Sequence, residues 1–365
     1  MFAGSANIVA LAHQMRRRRL EEMRREASLE DEEEKKRNYL TFDGFMKMNS
    51  EKGFRELTNF NLNQFNELCE LVRNCFQKAG KGNRTALTVE DRVFWLLCYL
   101  NTGGKIREIC HMFQCSSATF HRNCNETCDL IYPVIKSLIP QSTTGTARRF
   151  ANFPNAVGAC DVCFIPIVRS RDYDEQKKYY SGKHKQHGFK LQAIVNADGI
   201  CISTYYEQYG SVHDLVVFKN SSKLKMLEVV EGTDSGTSFV THHPVLFDRG
   251  YTGVQKTFQE AVVAIRRVKG KELTKRQEEI NDKIKEDRII VENFFGRLKT
   301  LWGIVVNPMR MNIDLAMKIA EVCVALTNFH IKFNPLRAEM VAEEPSESDS
   351  EIDMAYSDIR DSSSQ

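Results

Sequence analysis

The stretch NAVGACDVCFIPIV, residues 155–168, alternates, is rich in apolar and β-branched side chains and shows no helical period over its length, so it reads as a strand. Asp161 stands within it among Ala159, Cys160, Val162 and Phe164. A lone ionised carboxylate is costly in such surroundings, which makes this acid the first candidate for chemistry. FKLQAIVNADGICISTYYEQYG then reads as two strands around a turn at Asn196 to Gly199, and the segment from Ser211 to Asn220 opens a helix. A short strand of Val245, Leu246 and Phe247 ends abruptly at Asp248-Arg249-Gly250. Strand, hairpin, helix, strand and a later long helix describe an α/β domain with a mixed sheet flanked by helices.

The later stretch EDRIIVENFFGRLKTLWGI, residues 286–304, reads as an amphipathic helix, and ahead of it Thr274 and Gln277 have the spacing of a capping box, so a helix starts near Lys275. At 3.6 residues per turn Ile290, Val291, Phe294, Phe295, Leu298 and Leu301 form one apolar stripe that must pack against a core. Arg288, Glu292, Gly296 and Lys299 run beside it at the border with solvent. The plain reading of Glu292 is a solvated rim residue; the other is a site acid whose partners lie elsewhere in the chain.

The chain has 365 residues, 42% hydrophobic and 27% charged, enough for a small domain and a larger one. No apolar run approaches the roughly 20 residues that span a bilayer, and the N-terminal arginines are followed by no apolar signal region, so membrane-bound and secreted classes are excluded. The 11 cysteines are odd in number and show no disulfide framework, which favours a reducing compartment, the nucleus or else the cytoplasm. The net charge of +3 hides an asymmetry. From Arg148 to Arg337 there are 29 Lys and Arg against 21 Asp and Glu, a surplus of 8 by difference, the right sign for a phosphate-bearing partner. The tail 338–365 is acidic and serine-rich and is expected to be disordered. Residues 1–50 form a charged arm of mixed sign, a solvated helix or else a nuclear-import or DNA-contacting patch.

Residues 51–140 are helical by pattern. A cap-like Thr88 begins TVEDRVFWLLCYLNTGG, which ends in Gly103-Gly104. KIREICHMFQCSSATFHRNCNETCDLI then divides into a short helix, a turn at Gln114 to Ser116 and a second helix, the layout of a helix-turn-helix DNA-binding domain. Ser116, Ser117, Thr119, His121, Arg122 and Asn125 would face DNA; the plainer alternative is a helical bundle with a polar surface. Cys110, His111, Cys115, His121, Cys124 and Cys128 invite a zinc reading, but they lack two close ligand pairs and sit at helix-core positions. QSTTGT has the composition of a linker, placed at 141–150, and the α/β domain runs from 151 to 337.

Asp161, Asp248 and Glu292 lie on a strand, a strand end and a helix border, and could meet only in the folded chain. Their repulsion would raise their pKa values unless a cation sat among them. Hard oxygen ligands in that number suit Mg²⁺ or Mn²⁺, and two such ions activate water and stabilise the leaving oxygen of a phosphodiester.

CDVCFIPI, QKKYYSGKHKQHGFKLQAIV, GSVHDLVVF, VLFDRGYTG and RIIVENFFGRLKTLWGI occur in that order. Together they resemble the catalytic domain of the PIF/Harbinger and IS5-like DDE transposases, from about residue 150 to 333. The resemblance implies an RNase H-like fold behind a helix-turn-helix domain, with two divalent metals, Mg²⁺ or Mn²⁺, held by Asp161, Asp248 and Glu292. It implies cleavage of DNA by water, then strand transfer by the exposed 3′ hydroxyl, and a separate Myb-like DNA-binding partner protein; self-association stays open. In this chain Cys163 stands two residues after Asp161 where the family often has threonine, a poorer hydrogen-bond donor for that place.

Around these acids Arg249, Arg288 and Lys299 are candidates to meet phosphates, with ordinary helix surface as the alternative for the last two. KKYYSGKHKQHGFK sets Lys183, Lys185 and Lys190 among tyrosines and histidines, a mixture suited to gripping a strand or simply a solvated hairpin loop. His213-Asp214 matches the family's HD pair, and Asp214 is expected to cap the helix that begins there. Two functional classes survive: an active DNA endonuclease or transposase, and a domesticated DNA-binding protein on the same fold that cuts nothing. An enzyme acting on RNA shares the fold and metals and is disfavoured by the helix-turn-helix pattern.

Overall fold

The computed structural model describes residues 40–77, 87–103, 106–142, 148–207, 209–221, 228–232 and 238–336. The arm up to residue 39, the acidic tail and residues 143–147 of the expected linker lie outside them.

The N-terminal third is helical, and the sequence signals that start and stop its helices can be followed one by one. Thr41 and Ser50 cap α1 (Phe42–Met48) and α2 (Glu51–Thr58) through side-chain oxygens that accept backbone N–H groups. α3 (Leu62–Gln77) follows. α4 (Val89–Thr102) opens on the capping box of Thr88 with Asp91 and closes on Gly103 in the left-handed conformation. α5 (Ile106–Phe113) and α6 (Ser117–Ile135) are joined by a turn in which Gln114 has φ of 54°. Phe54, Phe94, Trp95, Phe113 and Phe120 are fully buried and stack edge-on or offset, so an aromatic cluster holds this bundle together. Cys124 and Cys128 are buried in the same core as small apolar groups.

The sheet is built from β1 (Gly158–Pro166), β2 (Tyr180–Ser181), β3 (Gln186–Val195), β4 (Cys201–Glu207), β7 (Val245–Phe247) and β8 (Ala261–Val263). Its path runs β2-β3-β1-β7-β8, with β4 also against β3. β1, β3 and β4 are antiparallel neighbours, whereas β7 and β8 run parallel to β1 and to each other. This is the mixed sheet that the pattern predicts. β5 (Glu228–Gly232) and β6 (Ser238–His242) make a separate two-stranded hairpin. The short helix α7 (Tyr173–Tyr179) precedes β2, and α8 (Asp214–Asn220) follows β4.

Alternation along β1 sends its side chains to two different cores. Ala159, Cys163 and Ile165 join the large core under α9 (Lys275–Leu301) and α10 (Ile313–Phe333), while Cys160 joins the smaller one with Phe218, Phe247, Tyr251 and Phe258. Both hydrogen bonds of the Thr274/Gln277 capping box start α9 as expected, and its apolar stripe from Ile290 to Leu301 is buried. α10 is buried on all sides from Ile319 to Ile331, the mark of a central helix.

The helical third and the α/β unit share one continuous core rather than sitting as separate bodies. Phe60 packs on Trp302, and Asn59 donates to the Leu301 carbonyl at the end of α9. Buried Glu321 of α10 accepts from Tyr132 of α6 and from Thr204 of β4, tying both units to one carboxylate. At the closest approach, Gly103 lies against Gly303 with no room for a side chain on either.

Asp287 on α9 fastens that helix to the chain just ahead of β1. It is 1% exposed and accepts the backbone N–H groups of Asn152 and Phe153, both at 3.0 Å, and the Asn152 amide. Burial outweighs these bonds and pushes its carboxyl up to about 6. A carboxyl raised in the folded state holds its proton more tightly there. Its contribution to stability is therefore full below the ordinary value near 3.8 and is lost as pH rises through about 6. Between these limits wild type should gain up to about 3 kcal/mol relative to Asp287→Asn as pH falls. Urea unfolding of both proteins at pH 7.5 and pH 4.5 checks this, and a constant difference between them would contradict it.

Candidate active site

Three elements bring the acids together. Asp161 is on the middle strand, β1, with its Oδ1 accepting its neighbour Val162's N–H at 2.8 Å. The parallel register pairs Ala159 with Leu246, so two residues further along both strands Asp248 comes beside Asp161. Asp248 leaves β7 and caps the single 3-10 turn Arg249–Tyr251 by accepting from Gly250. Glu292 reaches in from α9, which crosses this edge of the sheet.

At their centre is a guanidinium. Arg288 lies 3.6 Å from Asp161, 3.9 Å from Asp248 and 3.7 Å from Glu292. It is only 6% exposed, whereas Asp248 and Glu292 open to solvent. Arg288 was expected at the solvent border of the helix. Its place in line with Ile284, Val291 and Phe295, at i, i+4, i+7 and i+11, turns it inward instead, beneath the acids. Its Nε has no hydrogen-bond partner among the described residues.

Burial pushes the Asp161 carboxyl above its ordinary range, and Asp248 and Asp214 add to this, while the Val162 N–H and Arg288 hold it down. The donor set is hard oxygen, which fits Mg²⁺ or Mn²⁺. As the side chains stand, no three His, Cys, Asp or Glu among the described residues are gathered closely enough to hold an ion, because the acids are spread around a guanidinium.

Lys190 donates to Asp214 at 2.6 Å near Asp161, a pair that spacing in the chain did not suggest. The helix cap expected of Asp214 falls to its neighbour: the His213 ring nitrogen accepts from Leu215, which frees Asp214 to meet Lys190. Cys163 is buried with its thiol pushed up to about 11, chiefly by burial, with Lys299 beside it countering the shift. Lys299 is exposed one turn beyond Gly296, whose missing side chain faces open space. Arg249, Lys183 and Lys185 are exposed too, and next to the last two the His184 ring stacks on Phe164 at 4.5 Å and 11°.

On α6 the expected DNA-facing residues divide. Ser116, Ser117 and Arg122 are exposed and Asn125 is half-buried. Thr119 is buried, with its hydroxyl 2.9 Å from Ser116 Oγ in the capping turn. His121 is half-buried and packs edge-on against Tyr99. Ala118 of the same helix faces solvent.

Residues 160–328, a span that contains all three acids, match the DDE superfamily endonuclease family. That span is similar to the DDE superfamily endonuclease domain. It is 27% identical over 270 residues to a probable transposase for insertion sequence element IS702 of Microchaete diplosiphon, covering 72% of this chain and 89% of that one. It is also 22% identical over 312 residues to an ALP1-like protein of Arabidopsis thaliana, covering 80% and 74%. No solved structure matches it significantly. No helix among the described residues is long and apolar enough to cross a membrane.

Proposed function

We propose that the chain is a transposase-type DNA endonuclease on an RNase H-like fold of the Harbinger kind, working in the nucleus on its own DNA target. The observation that carries this reading is the convergence of Asp161, Asp248 and Glu292 from three elements onto one buried cation. These three residues would hold Mg²⁺ or Mn²⁺, which when bound supplies the Lewis acidity that activates water and stabilises the leaving 3′ oxygen. Asp161, rigid on the central strand, orients the site. Asp248 and Glu292, open to solvent, admit the scissile phosphate between them. Lys299 and Arg249 are placed to meet the flanking phosphates, and the exposed Lys183 and Lys185 with the His184 ring to grip the strand beyond. α5 and α6 serve as the helix-turn-helix, with Ser117 and Arg122 towards the groove.

Cleavage of labelled duplex DNA, including terminal-repeat DNA, with Mg²⁺ or Mn²⁺ tests this. Wild type is expected to cut, and Glu292→Gln, which keeps shape and removes charge, to lose on the order of a thousandfold in rate. A folded wild type that cuts nothing would leave a DNA-binding protein as the function.

A further inference from the structure

Arg288 is more than a neighbour of the acids. A guanidinium has five N–H donors in a fixed fork, and a buried one ordinarily closes short, paired hydrogen bonds to a carboxylate. Here all three ion pairs lie at 3.6–3.9 Å, beyond hydrogen-bond length, and Nε is buried without a partner among the described residues. The side chain answers the combined charge of three acids while completing a bond with none of them. That is the position a divalent ion would take, filled by a group that fits it poorly.

We propose that Arg288 is an internal stand-in cation. It holds Asp161, Asp248 and Glu292 together in the metal-free protein, and it must withdraw from them when a divalent ion binds. This rests on the nuclease reading of the same site. Two consequences follow from the geometry. The acids can be preassembled without metal, because their mutual repulsion is already answered. Divalent ions bind in competition with a tethered charge, so the site fills less readily than three free carboxylates would. Arg288, once released, is one helical turn from Glu292 and so stays beside whatever phosphate the acids receive.

The test is Mn²⁺ binding to the full-length protein without DNA, followed by the electron paramagnetic resonance signal of free Mn²⁺, for wild type, Arg288→Gln and Glu292→Gln. Thermal unfolding without metal is run alongside. Arg288→Gln is expected to bind Mn²⁺ at least about tenfold more tightly than wild type, to unfold at a lower temperature without metal, and to recover that loss when Mn²⁺ is added. Arg288→Lys, which keeps a shorter and more mobile cation, is expected to lie between the two and serves if Arg288→Gln does not fold. Binding by wild type with equal or weaker binding by the Arg288 variants would overturn the stand-in role and leave the nuclease reading intact. Absence of Mn²⁺ binding from wild type and every folded Arg288 variant would overturn the nuclease reading and this inference with it.

Discussion

Asp161→Asn should abolish DNA cleavage, by on the order of a thousandfold or more, while leaving the fold as stable as wild type or slightly more so. The two effects have separate causes. On the proposed nuclease reading, activity is lost because the middle strand would present an amide where a charged ligand is needed. Stability is kept because burial already disfavours the charged form of Asp161, so a neutral isostere relieves a cost. The amide oxygen can still accept the Val162 N–H, and Arg288 still faces Asp248 and Glu292. Cleavage assays paired with thermal unfolding measure both halves. A midpoint within a few degrees of wild type is expected, and a collapse of the fold would mean that Asp161 is there for structure.

Gly103→Ala is expected to be the most damaging small substitution, costing about 3 kcal/mol or more. A methyl there would stand 2.1 Å from the Gly303 carbonyl carbon and 2.2 Å from its oxygen, both backbone atoms that cannot turn aside. The residue also sits at φ of 61°, which an alanine adopts only under strain. Gly296→Ala on α9 is the control: its added methyl meets nothing within 4 Å, and alanine favours the helix by up to about 1 kcal/mol. Urea unfolding should therefore move in opposite directions for the two changes, and a Gly103→Ala protein as stable as wild type would mean the two units are not pressed together at this point.

What the chain discloses in one dimension is what local chemistry decides. The strand around Asp161, the turn at Asn196 to Gly199 and the caps at Thr88 and Thr274 are set by neighbours a few residues away, and the fold has them where the pattern predicts. Arg288 could not be placed that way. Its spacing to Ile284, Val291 and Phe295 puts it on the buried face, but its charge argues for solvent, and only the acids arriving from two strands resolve the conflict. Thr119 turns inward for a similar reason, since the phase of α6 is set by Phe120 docking on Trp95 and Phe113. Asp287 looks like one more charge in a charged helix until Asn152 and Phe153 close on it from 135 and 134 residues away. The Lys190–Asp214 pair likewise joins β3 to the start of α8, a contact that no spacing encodes.

The core that runs without a break from Phe45 to Leu336 has a mechanical meaning for the proposed nuclease. A DNA-reading helix hung on a loose tether would let the cut wander, and its reach would be measured in linker length. With α6 bound to the sheet through Tyr132, Glu321 and Thr204, the same solid body would both grip and cut on the proposed reading. The interval between the phosphates it holds and the phosphate it breaks becomes a ruler cast into the hydrophobic core.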